Sequence, residues 1–151
     1  MVTGSRFPPA VIVHGLDDAR AALAPGRPVT LLSAPGAALY AGCGWWRALV
    51  RLAQAEGGAG DPAAGHPAAG HIPPGKIIDI LDCADATGAA FAALRLEQRW
   101  LVLDPATPGF AAAAAVASAQ GGGVLPAAPP ALDLAAPGAA RALAAWLGPE
   151  A

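Results

Sequence analysis

Residues 100–104 read WLVLD, and similar stretches occur at residues 10–14 (AVIVH), 29–33 (VTLLS) and 77–81 (IIDIL). Each is a short run of aliphatic residues, most of them with β-branched members, as is typical of β-strands. The runs are mostly apolar throughout instead of alternating, which indicates strands buried on both faces of a parallel sheet. A weaker fifth run lies at residues 124–125 (VL). These stretches decide the fold class because a helical segment follows each of them.

The segments after the strands are rich in alanine and predict helices. We place them at residues 17–23, 37–55, 85 or 87 to 98, 110–120 and 137–147, with Asp17 or Asp18 and Asp85 or Thr87 as N-caps. Repeated βα units with right-handed crossovers predict an α/β fold, a three-layer α/β/α sandwich with a five-stranded, mainly parallel sheet. We expect the flavodoxin-like strand order 2-1-3-4-5. A partial (βα) barrel is the alternative.

The chain has 151 residues, a length that predicts a single α/β domain over residues 1–151. Alanine, glycine and proline supply 42, 19 and 16 residues, about half of the chain, and charged residues only 13%. Residues 56–75 are dominated by these three residue types and have no apolar periodicity, so we predict a mobile loop there. The alternative is a lid or a metal-binding loop using His66 and His71. These two histidines are an incomplete ligand set, so no metal site is predicted.

Charge and hydropathy exclude several classes of protein. Nine Lys and Arg against eleven Asp and Glu give a net charge of −2, which argues against a nucleic-acid partner. Proline and glycine interrupt the longest uncharged stretches, so no membrane-spanning helix is predicted. The apolar run at residues 11–13 is too short for the core of a signal peptide. We therefore expect a cytoplasmic protein without a membrane partner, and the excess of Arg, Ala, Gly and Pro suggests a GC-rich bacterial genome.

The few polar side chains concentrate at the carboxyl ends of the predicted strands, where open parallel sheets bind ligands. The residues predicted to be catalytic are His14, Asp82 and Asp104. Those predicted to bind a small-molecule ligand are Ser33, Gly36, Asp85 and Thr107. The structural alternative is that such residues cap helices or form turns. These residues leave the cofactor, the substrate and the reaction unknown, and they do not decide whether the chain is an enzyme.

The predicted helix over residues 37–55 has an apolar surface wider than one sheet face covers. One stripe contains Cys43, Trp46 and Val50, and a second contains Trp45 and Leu52. Either the loop or a second copy of the chain would cover the Trp45 stripe. The scarcity of charge favours self-association, most simply as a homodimer. The alternative function is therefore a non-catalytic oligomerisation or interaction module that uses Trp45 and Leu52.

The βα order is similar to that of response-regulator receiver domains, and Asp82 stands at the position after the third strand where that family has an acceptor aspartate. In that family an acidic pair directly follows the first strand, whereas Asp17 and Asp18 come three residues later. Asp104 stands where a hydroxyl is expected, and no lysine follows the fifth strand. The parts needed for metal-assisted phosphorylation are missing, so the chain is not assigned to this family.

Overall fold

The computed structural model describes residues 7–57 and 77–149. The elements in chain order are β1 (Ala10–Val13), α1 (Leu16–Leu23), β2 (Val29–Ser33), α2 (Ala37–Tyr40), α3 (Cys43–Gly57), β3 (Ile77–Asp82), α4 (Thr87–Arg95), β4 (Trp100–Val102), α5 (Phe110–Ala119), β5 (Gly123–Leu125), β6 (Ala131–Asp133) and α6 (Ala139–Leu147). Strands and helices alternate through most of the chain, so the predicted α/β class is confirmed. Among the described residues, no helix is long and apolar enough to cross a bilayer.

The strands form an open parallel sheet of six strands with the order β5-β4-β3-β2-β1-β6. The predicted number of five strands and the order 2-1-3-4-5 are both wrong. Strands β1 to β5 follow one another as neighbours, a feature that the alternative (βα) barrel shares, but here β5 and β6 are edges. Strand β6 returns to the far side of β1 and pairs with it in parallel, Ala10 opposite Ala131 and Ile12 opposite Asp133. The strand order therefore reverses at β1.

The chain divides into two compact units. The described residues of the first unit are 7–31, 49–57, 77–78 and 130–149. Those of the second unit are 32–48 and 79–129. The division passes through β2, α3 and β3, each of which contributes residues to both units. The prediction of a single domain over residues 1–151 stays a prediction.

The apolar runs of the strands supply most of the largest buried side chains. Val11, Val13 and Leu31 of the first unit are fully buried, as are Ile80, Leu81, Leu101 and Leu103 of the second. This burial confirms the interpretation of continuous apolar runs as interior strands of a parallel sheet. Within the second unit, helix α4 contacts both α2 and α5.

The predicted helix over residues 37–55 is in fact two helices, because the helical conformation is interrupted at Gly42. Gly42 has φ +86°, a left-handed conformation that glycine adopts without the strain of other residues. Its N–H donates to the Ala37 carbonyl at 3.1 Å and closes α2, after which α3 begins at Cys43. Helix α3 extends through Gly57, two residues into the predicted loop. The remainder of that loop, with His66 and His71, lies outside the described residues.

The predicted helix caps are wrong, and the last strand was not expected. Helix α1 has Gly15 at its N-cap, and α4 has Ala86, neither with a side-chain cap hydrogen bond. The strand β6 has the sequence Ala-Leu-Asp, too short and too poor in β-branched residues to predict a strand.

In the first unit, helix α6 is held by hydrogen bonds from one of its side chains and to the carbonyls at its C-terminal end. The Trp146 Nε1–H donates to the Ala10 carbonyl of β1 at 2.7 Å. The Arg27 guanidinium donates to the carbonyls of Ala144 and Gly148 at the C-terminal end of α6. A cation at this position satisfies carbonyls that have no partner within the helix and opposes the negative end of the helix dipole.

Candidate functional site

The carboxyl ends of β1 and β6 bring a histidine and a carboxylate into contact in the first unit. His14 follows the last residue of β1, and Asp133 is the last residue of β6. The His14 Nε2 and the Asp133 Oδ1 are 2.7 Å apart. The two side chains are 38% and 42% exposed, so a ligand can reach them. The pair lies where the strand order reverses, the position at which open α/β sheets bind their ligands.

The main chain of His14 is fixed by the helix that follows it. The His14 N–H donates to Asp18 Oδ2 at 2.8 Å. Asp18 and Asp17 lie in the first turn of α1, where carboxylates are favoured by the positive end of the helix dipole. The predicted cap residue Asp18 therefore reaches back over the helix start and holds the backbone that carries the imidazole.

Asp133 is held by two hydrogen bonds to the same oxygen. Its Oδ1 accepts from the Ala135 N–H at 2.9 Å and also contacts the imidazole of His14. Both interactions favour the charged carboxylate, the backbone N–H first and then the histidine, and they hold the pKa of Asp133 below its usual range. Asp133 is therefore ionised at neutral pH and can only accept hydrogen bonds.

The second unit contains the predicted residues Ser33, Gly36 and Asp82, and the structure brings these three together. The Asp82 Oδ1 accepts from the N–H groups of Gly36 (3.1 Å) and Ala84 (2.8 Å). The Asp82 N–H donates to Ser33 Oγ at 2.9 Å. These contacts join the ends of β2 and β3, which is the structural role that the sequence left open as the alternative. A ligand-binding role for them stays a prediction.

Asp104 and Thr107 form a turn before α5, and the contacts of Asp104 are to the backbone. The Asp104 Oδ1 accepts from the Ala106 N–H at 2.9 Å, and its carbonyl accepts from the Thr107 N–H at 3.0 Å. The Asp104 N–H donates to the Ala84 carbonyl at 2.8 Å. Asp85 is exposed. The catalytic role predicted for Asp104 and the binding roles predicted for Asp85 and Thr107 stay predictions.

Neither cysteine has the properties of a nucleophile. Cys43 and Cys83 are free thiols and both are buried. Burial, with the negative charge of Asp82 as the next cause, raises the pKa of Cys83 to about 12. Burial also raises the pKa of Cys43. Both groups are protonated at neutral pH, and the thiolate is the reactive form.

Asp133 is the functional candidate that the sequence reasoning missed, although a repeat in the sequence marks it. Residues 133–138 read DLAAPG and residues 104–109 read DPATPG. In both segments the Asp Oδ1 accepts the N–H two residues later, and the final glycine is the N-cap of a helix. Because the segment at residues 104–109 follows a predicted strand, the repeat indicates that a further strand precedes Asp133.

Within the part of the chain that the structure describes, no three His, Cys, Asp or Glu side chains are grouped as ligands of a metal ion would be. Comparison of the chain with protein-family models, with curated proteins and with solved structures finds no match.

Proposed function

We propose that His14 and Asp133 form the proton-transfer centre of a small-molecule site at the carboxyl ends of β1 and β6. The observation that carries this proposal is the 2.7 Å contact between the His14 Nε2 and the Asp133 Oδ1. A carboxylate hydrogen-bonded to one imidazole nitrogen orients the ring and stabilises the imidazolium that forms when the ring takes a proton. The location at the reversal of the strand order supports a ligand site.

In the proposed centre the two ring nitrogens of His14 have different tasks. Ionised Asp133 can only accept, so the His14 Nε2 carries the hydrogen and donates it. In the neutral ring the lone pair then lies on Nδ1, which is the atom that would take a proton from a ligand. The chemistry that follows is general acid–base catalysis at a hydroxyl, an acidic C–H or a bound water. The raised pKa values of both cysteines argue against covalent catalysis by a thiol.

A ligand screen with three variants tests the proposal. We expect metabolites that raise the Tm of the wild type and of Glu56→Gln, but not that of His14→Gln or Asp133→Asn. Glu56 is the matched control, because it is a carboxylate of the same unit that pairs with Arg20 instead of with His14. Equal stabilisation of all four proteins, or of none, would contradict the proposal.

The tautomer provides a test that does not need a ligand. Long-range ¹H–¹⁵N correlation spectra of the His14 ring should show a protonated Nε2 and an unprotonated Nδ1 in the neutral form. In Asp133→Asn we expect a mixture of the two tautomers, because an amide can either donate or accept. A wild-type ring protonated on Nδ1 would overturn the proposed assignment.

The second candidate function is self-association through the Trp45 face, which we define as Trp45, Ala48 and Leu52 of α3. Trp45 and Leu52 are 39% and 51% exposed. They are seven residues apart, so they lie on the same side of the helix. Exposed apolar side chains that share one helix face support an interface, and a homodimer remains the simplest assembly.

Sedimentation velocity tests this interface. If the wild type is a dimer, Trp45→Glu and Leu52→Glu should each give a monomer, whereas Leu96→Glu, which changes an exposed leucine after α4, should leave the dimer intact. A monomeric wild type excludes the interface.

We also propose that the chain functions in the cytoplasm. Two free thiols in one chain support a reducing compartment. The absence of a nucleic-acid partner stays a prediction from the net charge.

A further inference from the structure

A cleft in the second unit is lined by Arg47, Glu97, Arg99 and Gln120 and has a volume of about 390 Å³. This volume is in the range of sites for small molecules. Arg47 lies on α3, Glu97 and Arg99 lie between α4 and β4, and Gln120 follows the last residue of α5. Helix α3 and the segments that follow α4 and α5 thus supply the lining of the cleft.

Two walls of the cleft are anchored to one buried network. The Trp46 Nε1–H and the Gln98 Nε2–H both donate to Asp79 Oδ2, at 3.0 and 2.9 Å. Gln98 also donates to the Trp100 carbonyl at 2.9 Å, and the side chains of Trp46 and Gln98 are fully buried. Arg47 is the chain neighbour of Trp46, and Glu97 and Arg99 are the neighbours of Gln98. The network therefore fixes the backbone from which these three residues extend.

The cleft carries two guanidinium groups and one carboxylate. In the described part of the chain, no ion pair within 4.0 Å includes Arg47 or Arg99. The Arg47 guanidinium has a long contact, 3.4 Å, to the Glu97 carbonyl. Guanidinium groups that line one cleft without a paired carboxylate form a site that an anion stabilises.

Glu97 adopts a left-handed conformation, with φ +63°. It follows the C-cap Leu96 of α4, a position where glycine is usual because a side chain there costs about 1 kcal/mol. Backbone strain of this kind is concentrated at functional sites. The Gln98 N–H donates to the Ala93 carbonyl at 3.1 Å and closes α4 around Glu97, which also lines the cleft.

We propose that this cleft binds a small oxyanion, with the guanidinium groups of Arg47 and Arg99 as the main donors. Guanidinium groups donate paired hydrogen bonds to carboxylate and phosphate oxygens, and the Gln120 amide is a further donor. Two guanidinium groups and one carboxylate give the lining one net positive charge, which matches a single carboxylate better than doubly charged phosphate. The favoured ligand is therefore a monocarboxylate. This site is separate in sequence and chemistry from His14 and Asp133.

Titration of the full-length protein with sodium acetate and with sodium phosphate tests the proposal, with sodium chloride holding the ionic strength constant. The Nε–H signals of the arginines in ¹H–¹⁵N spectra report on the site directly. We expect saturable acetate binding to shift the Arg47 and Arg99 signals. Arg47→Gln and Arg99→Gln should each weaken it about tenfold or more, since each removes a charged hydrogen bond. Arg95→Gln, which changes an exposed arginine of α4 outside the lining, should bind as the wild type does.

Glu97→Gln separates the two anions. Removal of the carboxylate raises the net charge of the lining, so phosphate should bind this variant more tightly than it binds the wild type. Shifts that do not saturate, or affinities unchanged in both Arg47→Gln and Arg99→Gln, would overturn the proposal. Equal binding of phosphate to the wild type and to Glu97→Gln would overturn the preference for a monocarboxylate.

Discussion

At the residue scale, one oxygen atom of Asp133 combines structure and chemistry. The Oδ1 receives the N–H of Ala135 and so shapes the turn before α6, and it also contacts the imidazole of His14. The turn uses the aspartate as many strand ends do. Asp104 accepts the corresponding N–H, that of Ala106, with its Oδ1. Asp133 differs from Asp104 because its Oδ1 also contacts a histidine. Local turn chemistry thus positions the carboxylate, and the pairing of β6 with β1 supplies its partner.

The pH dependence of stability should show this double role. The folded-state pKa of Asp133 is lowered, so the stability it contributes is present above the unfolded-state pKa and is lost as the pH falls through the folded-state value. At neutral pH, Asp133→Asn should lower the Tm by about 1–3 °C, the size expected of an exposed pair. The difference from the wild type should disappear below the folded-state pKa. A difference in Tm that is constant across the acid range would contradict this.

The strain at Glu97 can be measured by comparing two substitutions. Glu97→Gly should raise the free energy of unfolding by about 0.5–1 kcal/mol relative to Glu97→Ala, because only glycine adopts φ +63° without cost. Both variants lose the carboxylate, so the comparison isolates the backbone. Urea denaturation provides the two free energies. Equal stability of the two variants would show that the conformation stores no strain.

At the element scale, single glycines decide where helices end. Gly42 separates α2 from α3 and leaves Leu39 and Tyr40 of the short α2 exposed at 58% and 70%. The apolar pattern over residues 37–55 is continuous, and only the conformation of one residue interrupts it. Periodicity reports which side chains are apolar, and it does not report the sign of φ.

Two alanine substitutions test this explanation. Gly42→Ala should destabilise the protein by about 1–2 kcal/mol, because φ is +86° there although a Cβ would meet no atom within 4 Å. Gly44→Ala, inside α3 and equally free of contacts, should stabilise it by up to about 1 kcal/mol. Chemical denaturation of both variants gives the comparison. A stabilising Gly42→Ala would mean that the two helices can merge.

At the scale of the whole molecule, the net charge is small, −2 at pH 7. Charged residues are 13% of the sequence, and the isoelectric point is near pH 5.8. We expect the solubility to pass through a minimum near this pH, because repulsion between copies is then weakest. Precipitation with polyethylene glycol across a pH series measures it. A minimum far from pH 5.8 would show that particular exposed groups control association.

Much of the fold can be predicted from the sequence, because strands buried on both faces of a parallel sheet have uninterrupted aliphatic sequences. The strands at Val29–Ser33 and Ile77–Asp82 are examples, and so is the parallel α/β class. The strand order was not predictable, because the weak strand β6 alone determines where the order reverses. For the same reason His14 was identified as a candidate from its position after a strand, whereas its partner Asp133 was not.

The pairing of β1 with β6 also bears on how the protein is made. Strand β1 is synthesised well before its neighbour β6, which begins at Ala131, and before Trp146, whose indole N–H donates to the Ala10 carbonyl. Until these residues are made, the edge of β1 that later pairs with β6 has no partner strand. The first unit can be completed only after residues 130–149 have been synthesised.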